Sequence, residues 1–225
     1  MNNYKTQLNR IFYEDSYTSK DKANIEPNEI YILEEPLQIV NEKLQKANKH
    51  AILRMHIDDS EINDETYKII SKLKRLKYLD LEYLKIIGDG IKYLATLPKL
   101  ATLKLHNTQL TDENLKPLQL LPQLQILDLN YTQITDNGLR YIKPLKDLTH
   151  LNLVNTKVTD KGLKHLQSLK NLTHLNLIGT NITNKGAQYL QLLPKLTELY
   201  IAGTNITNEE LKQLKQTLPS IKTII

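Results

Sequence analysis

The sequence predicts an α/β solenoid, a curved stack of short parallel strands with helices behind them, and three observations predict it. One apolar pattern returns every 24 residues, starting at Ile52, Leu76, Leu100, Leu124, Leu148, Leu172 and Leu196, with nothing inserted between copies. Seven places per copy are apolar, and 48 of the 49 such positions conform, so register is kept from end to end; Thr217 is the departure. Within each copy the spacing changes from alternation, as in a strand, to steps of three, as on one face of a helix. A unit this short cannot bury its apolar face alone and must stack on its neighbours.

The elements follow in order. Residues 1–27 form an N-terminal segment in which Leu8, Ile11, Phe12 and Tyr13 are the groups able to dock. Residues 28–51 read as an N-terminal cap. Glu29-Ile30-Tyr31-Ile32-Leu33 is a strand, and Pro36 to Lys49 is an amphipathic helix with Leu37, Val40, Leu44 and Ala47 on one side. Residues 52–225 hold seven repeats and a final edge strand. In the third repeat Leu100, Leu103 and Leu105 point inward, with Thr102 and Lys104 opposite. Thr111-Asp112 then opens a helix, the Thr capping free N–H groups and the Asp favouring the positive end of the dipole. Leu115, Leu118 and Leu121 give a short α or 3₁₀ segment, and Pro98, Pro122 and Pro194 end such segments. The first two repeats are degraded at Ser60, Asn63, Asp64, Leu84, Ile87 and Gly88, as expected of terminal units. After Thr217 one residue is added, so Leu218 takes the apolar place and Ile221 to Ile225 become a last, unpaired edge.

The pattern L-x-x-L-x-L with T-D-x-G-L-x-x-L, as at Thr135-Asp136-Gly138-Leu139-Ile142, resembles the leucine-rich repeat family. More narrowly it is similar to the cysteine-containing type found in F-box substrate adaptors and their bacterial relatives. The resemblance covers about three quarters of the chain. It implies strands on a concave face, helices on a convex face, and a protein partner in the concavity. Where that subfamily usually has cysteine, this chain has Thr108, Thr132, Thr156, Thr180 and Thr204, whose hydroxyls can satisfy backbone groups in the turn after each strand.

Composition narrows the function. Among 225 residues there is no cysteine, which removes disulfides, thiolate-bound zinc and cysteine nucleophiles. Met1 to Tyr17 lacks the apolar run of a secretory signal, and no stretch approaches a membrane span. A cytoplasmic protein is expected, or one translocated into a host cell, with no membrane partner. The net charge of +5 does not form a basic stripe: Lys68, Lys72, Lys92, Arg140, Lys143, Lys164 and Lys212 fall on the helical side, so nucleic acid is not an expected partner.

The candidate partner-binding residues are the outward positions of the strands: Arg54, His56, Asp80, Glu82, Tyr83, Lys104, His106, Asp128, Tyr131, His150, His174 and Tyr200. The first half of this wall is acidic and aromatic, adding Asp58 and Asp59; the second is small and apolar through Val154, Ile178, Gly179, Ala202 and Gly203. A basic segment against the first half and an apolar anchor against the second are expected of a ligand. Asp80, Lys104 and Asp128 stand in line on consecutive strands and read as an ordinary exposed ladder of ion pairs. His150 and His174 are adjacent, with Asp128 nearest as a third ligand, but the set is incomplete and no metal is expected there. No Gly-rich phosphate loop, nucleophile elbow or H-E-x-x-H stretch occurs, so no enzyme, cofactor or catalytic residue is expected. The expectation is a non-enzymatic, monomeric protein- or peptide-binding module, of bacterial type and in the manner of an effector acting on a host protein. The alternative is a substrate adaptor in a ubiquitin-ligase-type assembly.

Overall fold

The computed structural model describes residues 29–33, 36–46, 52–58, 61–86, 89–218 and 221–224. The expectations placed on residues 1–27, Ala47 to Lys49, Asp59, Ser60, Ile87 and Gly88 lie outside that set.

The chain opens with β1 (Glu29–Leu33) and α1 (Leu37–Lys46), then β2 (Arg54–Asp58), a short β3 (Glu61–Ile62) and α2 (Asp64–Ile70). The second repeat gives β4 (Tyr78–Asp80), β5 (Lys85–Ile86) and α3 (Ile91–Leu94). The third gives β6 (Thr102–Lys104) and a 3₁₀ helix over Asp112–Leu120. Next come β7 (Ile126–Asp128) with α4 (Asp136–Ile142), then β8 (His150–Asn152) with α5 (Asp160–Leu163) and a 3₁₀ turn at Leu166–Ser168. The chain finishes with β9 (His174–Asn176), α6 (Asn184–Leu190), β10 (Glu198–Tyr200), α7 (Asn208–Thr217) and β11 (Thr223–Ile224). The nine-residue 3₁₀ helix holds Pro117, which has no N–H for an α-helical bond and so favours the tighter winding.

All nine long-sheet strands pair in parallel, in the order β1-β2-β4-β6-β7-β8-β9-β10-β11, while β3 and β5 form a two-stranded sheet on the turn side. The register advances by 24 residues at each step: Leu79 lies beside Leu103, Leu103 beside Leu127, Leu127 beside Leu151, and so on to Leu199. Each column of leucines is therefore continuous and fully buried. Burying one such side chain contributes about 1.5–3 kcal/mol, which repetition multiplies along the stack. At the far end Leu218 is buried and Thr217 is exposed, which places the added residue where the sequence pattern breaks.

The threonine column closes the turns. Oγ1 of Thr108, Thr132, Thr156, Thr180 and Thr204 donates to the carbonyl oxygen three residues back, at 2.5, 2.6, 2.8, 2.5 and 2.7 Å. Thr135, Thr159 and Thr183 cap α4, α5 and α6 as their composition predicts. The aspartates beside them have a second task that the sequence reading misses. Asp112 reaches forward one repeat and accepts from the N–H and hydroxyl of Thr135 at 2.8 and 2.6 Å. Asp136 does the same for Thr159, and Asp160 for Thr183. A Cβ on Gly138, Gly162 or Gly186 would run into that same aspartate, so the glycine of T-D-x-G makes room for the neighbouring repeat's carboxylate.

Candidate functional site: the open face of the sheet

Residues alternating with the buried leucines face away from the core and form rows across the strands. The central row is His56, Asp80, Lys104, Asp128, Asn152, Asn176 and Tyr200. Every member is buried, with Asp80, Lys104 and Asp128 only 1%, 3% and 1% exposed. The exposed ladder expected of Asp80, Lys104 and Asp128 is thus overturned, and His56, His106 and Tyr200 are likewise covered. The physical reason is lateral: strands bring long side chains within about 5 Å of one another, so each is roofed by its neighbours on the same face.

Inside this layer the charges are matched. Asp80 Oδ2 accepts from the Tyr78 hydroxyl at 2.9 Å and lies 3.6 Å from both Lys104 Nζ and His56 Nδ1. The Arg54 guanidinium lies over the Tyr78 ring at 4.2 Å. Burial raises the Asp80 carboxyl, but the His56 hydrogen bond and the Lys104, His56 and His106 charges outweigh it, leaving the carboxyl below its ordinary value. Asp128 is pushed up to about 6, because complete burial outweighs the help of His106, the Asn130 backbone and Lys104. His106 donates from Nε2 to Glu82 Oε2 at 2.6 Å, and its Nδ1 lies 3.8 Å from Asp128 Oδ2. Burial lowers the His106 imidazole, yet Glu82, Asp128 and Asp80 together hold it above its usual value.

The second half is quieter. His150 and His174 stack with ring centroids 3.9 Å apart. Their Nδ1 atoms lie 2.8 Å from the hydroxyls of Thr149 and Thr173, which already donate to the carbonyls of Gln125 and Thr149. Each hydroxyl has one proton, so the imidazole Nδ1 is assigned as the donor to it. Burial and the facing ring lower His150 to about 4; burial lowers His174 against the pull of Glu198, whose Oε1 is 3.3 Å from its Nε2. Asp128 instead lies beside His106 and Asn152, so the triplet weighed from sequence is not assembled. Tyr200 is buried and donates to Glu198 Oε2 at 2.8 Å, and Val154 is buried too, leaving Ile178, Gly179, Ala202 and Gly203 as the accessible apolar patch.

Two of the twelve candidates are exposed. Tyr83 and Tyr131 are 53% and 50% exposed. Arg54, Glu82, His150 and His174 are half-buried. Both tyrosines occupy the third residue after the strand, where the backbone turns left-handed, with φ of 56° and 53°. Asn107, Asn155, Gly179 and Gly203 fill the equivalent place with φ between 50° and 71°. Asn and Gly tolerate that conformation, whereas a bulky aromatic is strained in it. The Asn and Gly column was the signal in the sequence for this bend, and the two tyrosines concealed it.

Residues 122–143, 145–166 and 168–190 each match the family model described as leucine rich repeat. The match is to the general repeat, not to the cysteine-containing, F-box-adaptor type that the T-D-x-G-L stretch resembles. No curated protein sequence matches the chain. Among solved structures the fold is similar to an internalin (inlF) from Listeria monocytogenes, with TM-score 0.64 and 24% identity over 77% of this chain and 47% of that one. It is also similar to internalin C2 (inlC2) from the same organism, with TM-score 0.63 and 25% identity over 78% of this chain and 71% of that one. The chain spans about half the length of the first of these internalins. Among the described residues no helix is long and apolar enough to cross a membrane. Repeat register, matched segments and structural likeness agree: the chain is an α/β leucine-rich-repeat solenoid.

Proposed function

We propose that the solenoid is a non-enzymatic binding module that takes a protein or peptide segment across the open face of its sheet. The observation that carries this reading is the pair Tyr83 and Tyr131, half exposed and held in left-handed backbone two repeats apart. Strain at an exposed aromatic persists where the surroundings enforce it, and such positions concentrate at ligand-gripping sites. Tyrosine suits an anchor because it buries much area with little loss of side-chain freedom and keeps a hydrogen-bonding tip. The layer beneath is fully packed, so the anchors are preorganised on a rigid wall.

The basic ligand segment expected from sequence loses its support. Asp80 and Asp128 are engaged with Lys104, His56 and His106 beneath the surface. Recognition is better served by aromatic contact at Tyr83 and Tyr131, with an apolar group of the partner against Ile178 and Ala202. The finer reading, a bacterial effector gripping a host protein, is supported by the two bacterial structures that share the fold. Affinity capture with the wild-type chain and a Tyr83→Ala/Tyr131→Ala variant tests the proposal. Partners retained equally by both would overturn it, and partners lost only from the variant identify the ligand.

A further inference from the structure

Asp80, Glu82 and His106 meet at one point of the open face. Asp80 and Glu82 are two residues apart and so share a side of the strand; His106 is 24 residues after Glu82 and takes the same place one coil on. One oxygen from each carboxylate and one ring nitrogen of His106 all lie within 4.8 Å of one another. Asp80 and His106 are buried, and Glu82 is partly open, its side chain 19% exposed.

Two observations point to a ligand. Asp80 Oδ2 is occupied by the Tyr78 hydroxyl, Lys104 and His56, but Asp80 Oδ1 is buried and has no hydrogen-bond partner. A buried carboxylate oxygen left so is costly and rare in native proteins. His106 lies between carboxylates, with Nε2 on Glu82 at 2.6 Å and Nδ1 3.8 Å from Asp128 Oδ2. The Asp128 charge at that distance raises the basicity of the ring.

We propose that Asp80, Glu82 and His106 bind a divalent transition-metal cation, with Zn²⁺ the best fit. Two oxygens and one imidazole nitrogen suit that ion, and three protein ligands leave a fourth tetrahedral position to water. Ligand atoms at bond lengths of about 2.0–2.2 Å stand roughly 3.3 Å apart around a tetrahedral centre. Binding therefore draws the cluster in and separates Glu82 from His106, a movement that the half-open Glu82 side chain can supply. The cation takes the place of the hydrogen between His106 Nε2 and Glu82: imidazolium gives up one proton to solvent on binding, whereas neutral imidazole keeps its proton on Nδ1. Lys104 remains on Oδ2, and Asp80 coordinates through the free oxygen alone. Tyr83 stands edge-on to the His106 ring with centroids 5.4 Å apart, so the site adjoins one anchor of the proposed interface, but its test needs no partner.

The full chain, stripped with EDTA and dialysed, is titrated with Zn²⁺ by calorimetry and with Co²⁺ by visible absorption. One equivalent should bind, Co²⁺ should show the intense bands of a tetrahedral centre, and the melting temperature should rise. Glu82→Gln, at a half-exposed position that leaves folding intact by circular dichroism, should weaken affinity at least about tenfold. His150→Gln, which alters the other imidazole pair, should bind as wild type. No uptake of either metal at millimolar concentration, equal affinity in Glu82→Gln, or loss in His150→Gln would each overturn the assignment.

Discussion

The carboxylate of Asp136 accepts from the backbone N–H of Thr159 at 2.7 Å and from its hydroxyl at 2.6 Å, one full coil further along the chain. Thr159 in turn caps α5 by accepting from Lys161 N–H, so one aspartate fixes the start of the next repeat's helix. Asp136→Ala leaves both donors of Thr159 without their partner and should destabilise the chain by about 1–3 kcal/mol. Asp136→Asn should cost much less. Asn184 already serves in this role, accepting from Thr207 N–H at 2.9 Å and donating to its hydroxyl at 3.1 Å. Urea unfolding of the two variants gives the ordering.

Gly162 lies against the same Asp136, and its added Cβ would strike both Oδ1 and the Asp136 backbone. Gly162→Ala should therefore destabilise by about 1–3 kcal/mol through overpacking, despite the better helix propensity of alanine. A thermal melt showing unchanged or raised stability would refute the steric account.

Lys104 is the cation between Asp80 and Asp128, and all three are buried. Lys104→Met keeps the stem and removes the charge, leaving the His56 and His106 imidazoles beside Asp80 and Asp128. A loss of about 3–5 kcal/mol is expected, the range for breaking one side of a buried ion pair. An exposed ladder would have lost about 1 kcal/mol or less, so the measured value separates the two descriptions.

The His150 and His174 stack predicts acid sensitivity. His150 titrates near 6.5 in the unfolded chain and about 4 in the folded one, so the folded state holds it neutral. Above the higher value both states are neutral and stability is unaffected. Between about pH 6.5 and 4 the unfolded chain takes up a proton that the folded chain refuses, and stability falls; below that window the loss levels off. His174, also lowered, acts in the same direction. His150→Gln should flatten this stretch of the stability profile, measured as urea midpoint against pH.

Tyr131 carries strain that an asparagine would not. Tyr131→Asn installs the residue found at the equivalent Asn107 and Asn155, and should raise stability by up to about 1 kcal/mol while weakening partner capture. Reduced stability would show that the tyrosine is packed rather than presented.

The leucine columns, the threonine turns and the helix caps were legible because each depends on residues within one repeat or on strict periodicity. The buried layer of charge was not. Alternation tells that Lys104 faces away from the leucines, but whether it meets water depends on side chains 24 residues away on either side, such as Asp80 and Asp128. The forward reach of Asp112, Asp136 and Asp160 had a trace in the glycine two residues after Asp136 and Asp160, whose purpose appears only when the preceding coil is in place. The exposed tyrosines were named from sequence, while the conformation that distinguishes them came from the backbone.

The aspartate clasps join coil to coil from Asp112 through Thr183, and a weaker amide version continues to Thr207. Neighbours tied side chain to side chain in this way cannot melt one at a time without tearing a bond in the next. The middle of the arc should therefore open as a single cooperative block, and amide exchange should show its protection decaying outward from α5 toward both ends.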